Sequence, residues 1–354
     1  MSRLAKTVGI VGCALVAIAL AWAAAWPAPA AEPLPVRVGI SSTSTDVPIF
    51  IADKKGYFRD EGLAISTIPF PSAAKMIAPM GAGEIDVGTG SAAAGLYNSV
   101  ARDISIVIVA DAATAPPHYG HNILLVRKDL MESGRYKTLA DLKGMKVALT
   151  APGASSNSTI NEALKKAGLK FSDIEPLYMG YPDHVLALVN KRADAGLTAE
   201  PAATQAINAG AAVRIMSDDE IDPNHQAAVL LYSGAFAKEK PEAARRFMRA
   251  YLRAVRYYND ALKGGRLAGP TADDVVAILT EYTPIKDPQV YRSISPQGCN
   301  PDGKVNAASL KKDFAFYAEQ GWIEAKDKVT VDQVIDNSFV DAALKELGPY
   351  RARN

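Results

Sequence analysis

Ala82-Gly83-Glu84-Ile85-Asp86-Val87-Gly88-Thr89-Gly90-Ser91-Ala92-Ala93-Ala94-Gly95 reads as a helix end, a very short strand and a Gly-Thr-Gly turn into an alanine-rich helix. Such a turn lays free backbone N–H groups at a strand's carboxyl end, where α/β proteins hold small ligands. The plan returns in Lys191-Arg192-Ala193-Asp194-Ala195-Gly196-Leu197-Thr198-Ala199-Glu200-Pro201, again before an alanine-rich helix. Either turn alone fits an ordinary βα connection without a ligand. The pair predicts two similar lobes facing each other.

The chain of 354 residues is long for one core and comfortable for two lobes. Its 39 basic and 38 acidic residues nearly cancel, and no stretch concentrates Lys and Arg with interleaved aromatics, which excludes a nucleic-acid partner. Arg3 and Lys6 precede an apolar run from Val8 to Trp26 and the small-residue end Pro27-Ala28-Pro29-Ala30-Ala31. This is the pattern of a secretory signal over 1–30, cleaved after Ala30, with an uncleaved anchor as the alternative. Ile10-Val11-Gly12-Cys13 has the look of a lipoprotein box, but too few residues separate it from Lys6. Without the leader Cys299 stands alone, so no intramolecular disulfide is expected in an oxidising compartment.

Beyond the leader, Val36–Ile40 alternates as a strand and empties into Ser41-Ser42-Thr43-Ser44-Thr45-Asp46, with Asp46 as the expected N-cap of a helix from Val47. Ile104–Ala110 reads as a strand buried on both faces, followed by a long loop from Asp111 to His121. The crossing between lobes is expected near Asp129. The plan then restarts: a strand at Lys146–Thr150, a helix entered through Ser155-Ser156-Asn157, and a helix over Val185–Lys191 after Tyr181-Pro182-Asp183. Gln226–Ser233 reads as the strand returning to the first lobe. From Pro241 the pattern is helical, with Arg245, Arg249, Arg253 and Arg256 on an outer face expected to be solvated.

Two lobes with two crossings predict a cleft with a hinge at its base. Its expected walls are Ser42, Thr43, Asp46, Thr89, Gly90, Ser91 and Tyr119 on one side. Ser155, Ser156, Asn157, Tyr181, Asp183 and Glu200 form the other. With no Lys or Arg among these, an anion would rely on helix N-termini and hydroxyls, while Asp46, Asp183 and Glu200 could meet an amine or ring N–H. The sequence contains no Gly-x-Ser-x-Gly elbow, no phosphate-binding Gly-x-x-x-x-Gly-Lys-[Ser/Thr] loop and no His-Glu-x-x-His pair. His118 and His121 have no third ligand at metal spacing, so neither metal nor cofactor is expected. Cys299 has no basic neighbour to activate it.

Gly56-Tyr57-Phe58 with Glu61-Gly62-Leu63, Gly83–Gly88, Leu139–Gly144 with Lys146-Val147-Ala148, and Ala193-Asp194-Ala195 with Glu200-Pro201 resemble the nitrate/taurine/sulfonate type of ABC-transporter substrate-binding protein. That superfamily also includes thiamine-pyrimidine synthase-like proteins. The resemblance runs from about Val36 to Gly210 and implies a type II periplasmic binding fold. In that arrangement 31–128 and 227–354 form lobe 1, 129–226 forms lobe 2, and a two-strand hinge and a C-terminal helical extension complete the molecule. It also implies a periplasmic monomer that captures a small molecule and passes it to an ABC permease and its ATPase. The Cys- and His-rich site of the eukaryotic pyrimidine synthases has no counterpart here, and the expected ligand is a small organic acid, sulfonate or heteroaromatic ring. The rival readings are an exported enzyme of the same fold, acting through Asp183, Glu200 or His118, and an extracytoplasmic sensor.

Overall fold

In the computed structural model, which describes residues 32–41, 43–326 and 328–352, the alternating and apolar runs form two five-stranded sheets. The first contains β1 (Leu34–Ile40), β2 (Leu63–Pro69), β3 (Val87–Gly90) and β4 (Ile106–Ala115). The second contains β5 (Asn122–Arg127), β6 (Lys146–Leu149), β7 (Glu175–Tyr178), β8 (Ala195–Ala199) and β9 (Ala212–Ser217), after which β10 (His225–Ser233) returns to the first. Their orders, β2-β1-β3-β10-β4 and β7-β6-β8-β5-β9, follow one plan. Three parallel strands are flanked by an antiparallel one that arrives from the other sheet. The sheets form the two-lobed periplasmic binding fold that the resemblance implies. The expected leader and Ser42 lie outside the described residues.

The repeated turn has a physical cause. Asp86, just before β3, donates its backbone N–H to the Arg37 carbonyl on β1, and its carboxylate accepts the Arg37 N–H at 2.8 Å. Asp194, just before β8, does the same to Lys146 on β6, accepting its N–H at 3.0 Å. Each aspartate thus fixes the register between two parallel neighbours, β1 with β3 and β6 with β8, and each also meets an arginine, Arg37 at 3.0 Å and Arg127 at 3.3 Å.

The crossing lies upstream of the expected Asp129. β5 pairs with β8 and β9, so the chain leaves the first sheet after Ala115 and enters the second at Asn122. β4 also runs on to Ala115, through residues expected to be loop, because β10 pairs along it as far as His225 opposite Ala115. The buried Asp111 that this encloses accepts from Gln226 Nε2 and from the Asn300 N–H, and burial pushes its carboxyl up to about 7. Cys299 is buried beside it, its Sγ 2.9 Å from the Ala112 carbonyl.

The helices that matter below are α1 (Val47–Lys54), α2 (Ala94–Val100), α3 (Ser155–Lys166), α4 (Tyr181–Val189), α5 (Ala202–Asn208), α6 (Pro241–Asn259) and α7 (Ala307–Glu319). α4 begins at Tyr181, ahead of the expected Val185, with Pro182 in its first turn. The outer face of α6 is not simply solvated. Arg249 pairs with Glu61 at 2.7 Å, Arg253 with Asp60 at 3.0 Å and Arg256 with Asp302 at 2.9 Å, fastening α6 to the turn before β2 and to the C-terminal segment. Its other face buries Phe247, Met248, Tyr251 and Val255 in the first lobe's core. The C-terminal part is not confined to the first lobe, since Ser158 on α3 donates to Asp313 on α7 and Lys312 pairs with Glu162 at 3.1 Å. Among the described residues no helix is long and apolar enough to cross a membrane.

The two register clamps differ in exposure, with the Asp86 side chain 4% exposed and that of Asp194 21%. Asp86→Ala therefore costs about 3 kcal/mol, since this one buried carboxylate holds the Arg37 N–H, the Arg37 guanidinium and Lys240. Asp194→Ala costs about 1 kcal/mol, because Arg127 keeps Asp129 and the carbonyls of Lys191 and Ala193 when it is lost. Urea denaturation of the two variants checks the ranking, which equal losses would contradict.

Candidate functional site

The carboxyl ends of the strands from both sheets meet around a partly enclosed cavity of about 40 Å³, on the order of a few water molecules. β1 delivers Ser41, Thr43 and Thr45, β2 leads to Ser72, Ala73 and Ala74, and β3 ends in Gly90 and Ser91. From the second lobe come Thr150, Ala154 and Ser155 after β6, Tyr181 at the start of α4, and Ala199 at the end of β8. The base is His121 and Asn122 at the first crossing, with Ala227 and Ala228 of β10.

Small residues let the lobes close over this space. Ala94 N–H donates to the Gly153 carbonyl at 2.8 Å, and a Cβ on Gly153 would lie 2.5 Å from the Ala94 Cβ. Ser44 N–H donates to the Glu200 carbonyl at 3.2 Å, and Ser155 Oγ to the Ala227 carbonyl at 3.1 Å. The alanine-rich helix entries read from the sequence are thus the surfaces of close approach.

Of the expected wall, Thr43, Gly90, Ser91, Ser155 and Tyr181 line the cavity. Asp46 and Thr89 stand behind it. The Asp46 carboxylate accepts the N–H groups of Ser41 at 3.0 Å and Thr43 at 3.2 Å and the Thr89 hydroxyl, so it shapes the loop rather than facing a ligand amine. Asn157 likewise turns inward, donating to the carbonyls of Ala151 and Ala154, and Ser156 meets Thr150 Oγ1 at 3.1 Å. Tyr119 is half-buried and Asp183 exposed, both away from the lining.

Glu200 is also spent on structure. Its carboxylate accepts the Thr204 N–H at 2.9 Å and hydroxyl at 3.0 Å, which caps α5, and the Ser295 N–H at 3.2 Å, while burial raises its pKa. Glu200 and His118 border a separate, wider cavity of about 670 Å³ with Arg214 and Arg266. None of the three acid–base candidates of the rival enzyme reading therefore lines the partly enclosed cavity.

Six polar lining residues were not among the expected contacts: Ser41, Thr45, Ser72, His121, Asn122 and Thr150. Ser41 and Thr45 flank expected ones in the polar run after β1, and Thr150 ends the expected strand; position alone could have found them. His121 ends the long loop after Asp111 but was weighed only as a metal ligand, and Asn122 carried no such signal. The lining holds no Lys, Arg, Asp or Glu. The N-termini of α3 and α4 and the turn leading into α1 border it, so the fixed charges at its wall are the positive ends of backbone dipoles and the hydroxyl groups around them.

Residues 44–261, more than half of the chain, match the family model described as NMT1/THI5 like. The chain belongs to that family. A relative from Escherichia coli (strain K12), named "Putative aliphatic sulfonates-binding protein", is 32% identical over 176 residues, 49% of this chain and 51% of its own. The chain spans about half the length of the first curated relatives it matches. Among solved structures, the periplasmic nitrate-binding protein NrtA from Synechocystis PCC 6803 superposes with a TM-score of 0.73 at 15% identity, covering 90% of each chain. The alkanesulfonate-binding protein SsuA from Xanthomonas axonopodis pv. citri, solved bound to MOPS, gives 0.66 at 19% identity, over 87% of this chain and 99% of its own. At these identities the structural likeness is one of fold.

Gly90 has φ +143°, and a Cβ there would lie 2.2 Å from the Ala73 Cβ. Gly90→Ala is expected to cost about 3 kcal/mol from backbone strain and overpacking at the cavity wall. Adding Ala73→Gly restores the part due to the clash and leaves the part due to φ. Thermal unfolding of the single and double variants reads both parts.

Proposed function

We propose that this protein is an exported, monomeric receptor that captures a small anion of the sulfonate or nitrate type between its lobes and hands it to a membrane permease driven by an ATPase. The observation that carries the reading is the cavity between the lobes, lined by hydroxyls and helix N-termini without one Lys, Arg, Asp or Glu. A cation would meet positive dipole ends there and no carboxylate. An anion meets hydroxyl donors already oriented by the fold, which limits the ordering cost of binding. A cavity of about 40 Å³ holds a planar or tetrahedral oxyanion head better than a heteroaromatic ring. The names of the sulfonate and nitrate relatives agree with that chemistry. With Asp183, Glu200 and His118 outside the lining, the reading needs no chemical step.

Thermal melting against a panel of alkanesulfonates, nitrate, carboxylates and amines tests this. An anion at a hundred times its Kd stabilises the native state by about 2.7 kcal/mol, a rise of several degrees in the midpoint. Response to amines alone, or to no anion at all, would overturn the proposal.

A further inference from the structure

Two buried ionisable groups stand at the base of the cavity, where the crossings meet. His121 lines the cavity and is 2% exposed, and its Nδ1 has no hydrogen-bond partner. Asp218, fully buried at the second crossing, places Oδ2 3.6 Å from that nitrogen, beyond a hydrogen bond, and its Oδ1 is also without a partner. Asn122 Nδ2 donates to Asp218 Oδ2 at 2.8 Å and lies 3.3 Å from His121 Nε2, joining the two through these atoms and leaving His121 Nδ1 and Asp218 Oδ1 open. Buried donors and acceptors left open in this way are uncommon in native folds.

An anion entering the cavity meets dipoles and hydroxyls but no counter-charge, since no Lys or Arg lines it. A negative charge within about 4–6 Å favours the protonated form of a histidine and disfavours an ionised carboxylate, so both members of the pair gain proton affinity. We infer that the cavity takes up a proton from solvent together with its anion, the proton being shared by His121 and Asp218. This rests on the anion reading proposed above. The bound site then carries the anion's charge partly offset, with no bond broken and nothing oxidised or reduced.

The surroundings leave this pair as the place where the proton goes. Burial, with His225 of β10 nearby, holds His121 down to about 3, and burial pushes Asp218 up to about 7, with Asp219 adding to the rise and Asn122 and His225 opposing it. Tyr181, at the start of α4, faces Asp218, and burial raises its own pKa. The other acids close by are engaged elsewhere. Asp219 accepts the His118 N–H at 2.8 Å, Asp222 pairs with Lys312 at 2.8 Å, and Asp313 accepts from Ser158 while facing His225 Nε2 at 3.1 Å.

The sign follows from these positions. Below about pH 6 the empty site already holds the proton on Asp218, so capture takes up none and Kd is flat. Above about pH 7 the empty site has lost it and the occupied site keeps it, so Kd rises by at most about tenfold per pH unit.

Calorimetric titration with nitrate and with methanesulfonate, both ionised throughout, in buffers of differing ionisation enthalpy between about pH 6 and pH 9, reads this directly. The expected result is proton uptake rising from near zero toward one per anion, with Kd weakening over the alkaline half. Asp218→Asn is expected to abolish the uptake and flatten the profile, and His121→Gln gives a second test of the same loss. Binding with a flat Kd and no uptake in the unsubstituted protein would overturn the inference and leave the anion reading standing. Failure of both anions to bind at any pH would remove both.

Discussion

Among the described residues the chain passes between its sheets at two places, and hydrogen bonds fasten those places to each other. His118 N–H reaches Asp219 Oδ2 at 2.8 Å, Asn122 Nδ2 reaches Asp218 Oδ2 at 2.8 Å, and Asn224 N–H reaches the Ala115 carbonyl at 2.7 Å. Gly120 sits where a Cβ would come within 2.1 Å of Asp219 Oδ1, so the two segments lie together with no room for a side chain between them. Because β4 and β10 pair up to this point on one side and β5 and β9 on the other, the stitch sets how the strand ends of one lobe face those of the other. The cavity is the space that this placement encloses.

Strand ends bring backbone N–H groups with them, and buried N–H groups need acceptors. Most of those around the cleft are answered by the chain itself: Asp46 takes those of Ser41 and Thr43, and Glu200 takes those of Thr204 and Ser295. The carboxylates therefore work as scaffolding one layer behind the wall. The surface left facing the cavity is made of hydroxyls, alanines and a glycine, with His121 and Asn122 at its base. Carboxylates held back in this way leave an electropositive lining that owes nothing to basic side chains.

This layering explains what could be read from the sequence. The duplicated turn was legible because one residue type does one job twice: Asp86 clamps β1 and Asp194 clamps β6, and such a job fixes both the aspartate and its distance from the strand. The small hydroxyl residues Thr43, Ser91 and Ser155 were legible as lining because they follow strands directly. Asp46, Asn157 and Glu200 were misplaced because a polar residue at a helix entry looks the same whether it turns toward a ligand or back onto its own backbone. The crossing was misplaced because β5 is apolar and buried in either sheet, so its composition does not say which one it joins. His121 was weighed only as a metal ligand, because nothing beside it in the chain points to Asp218, 3.6 Å away in space.

The reach of α7 has a consequence for how far the molecule can be taken apart. One continuous apolar cluster runs from Met76 and Ile108 of the first lobe, through Leu124 on β5 and Ile160 on α3, to Leu310, Phe316 and Tyr317 on α7. Neither half owns its interior outright, so a fragment ending before Ala307, or either lobe expressed by itself, would present that shared seam to water. The unit that folds is then the whole two-lobed body.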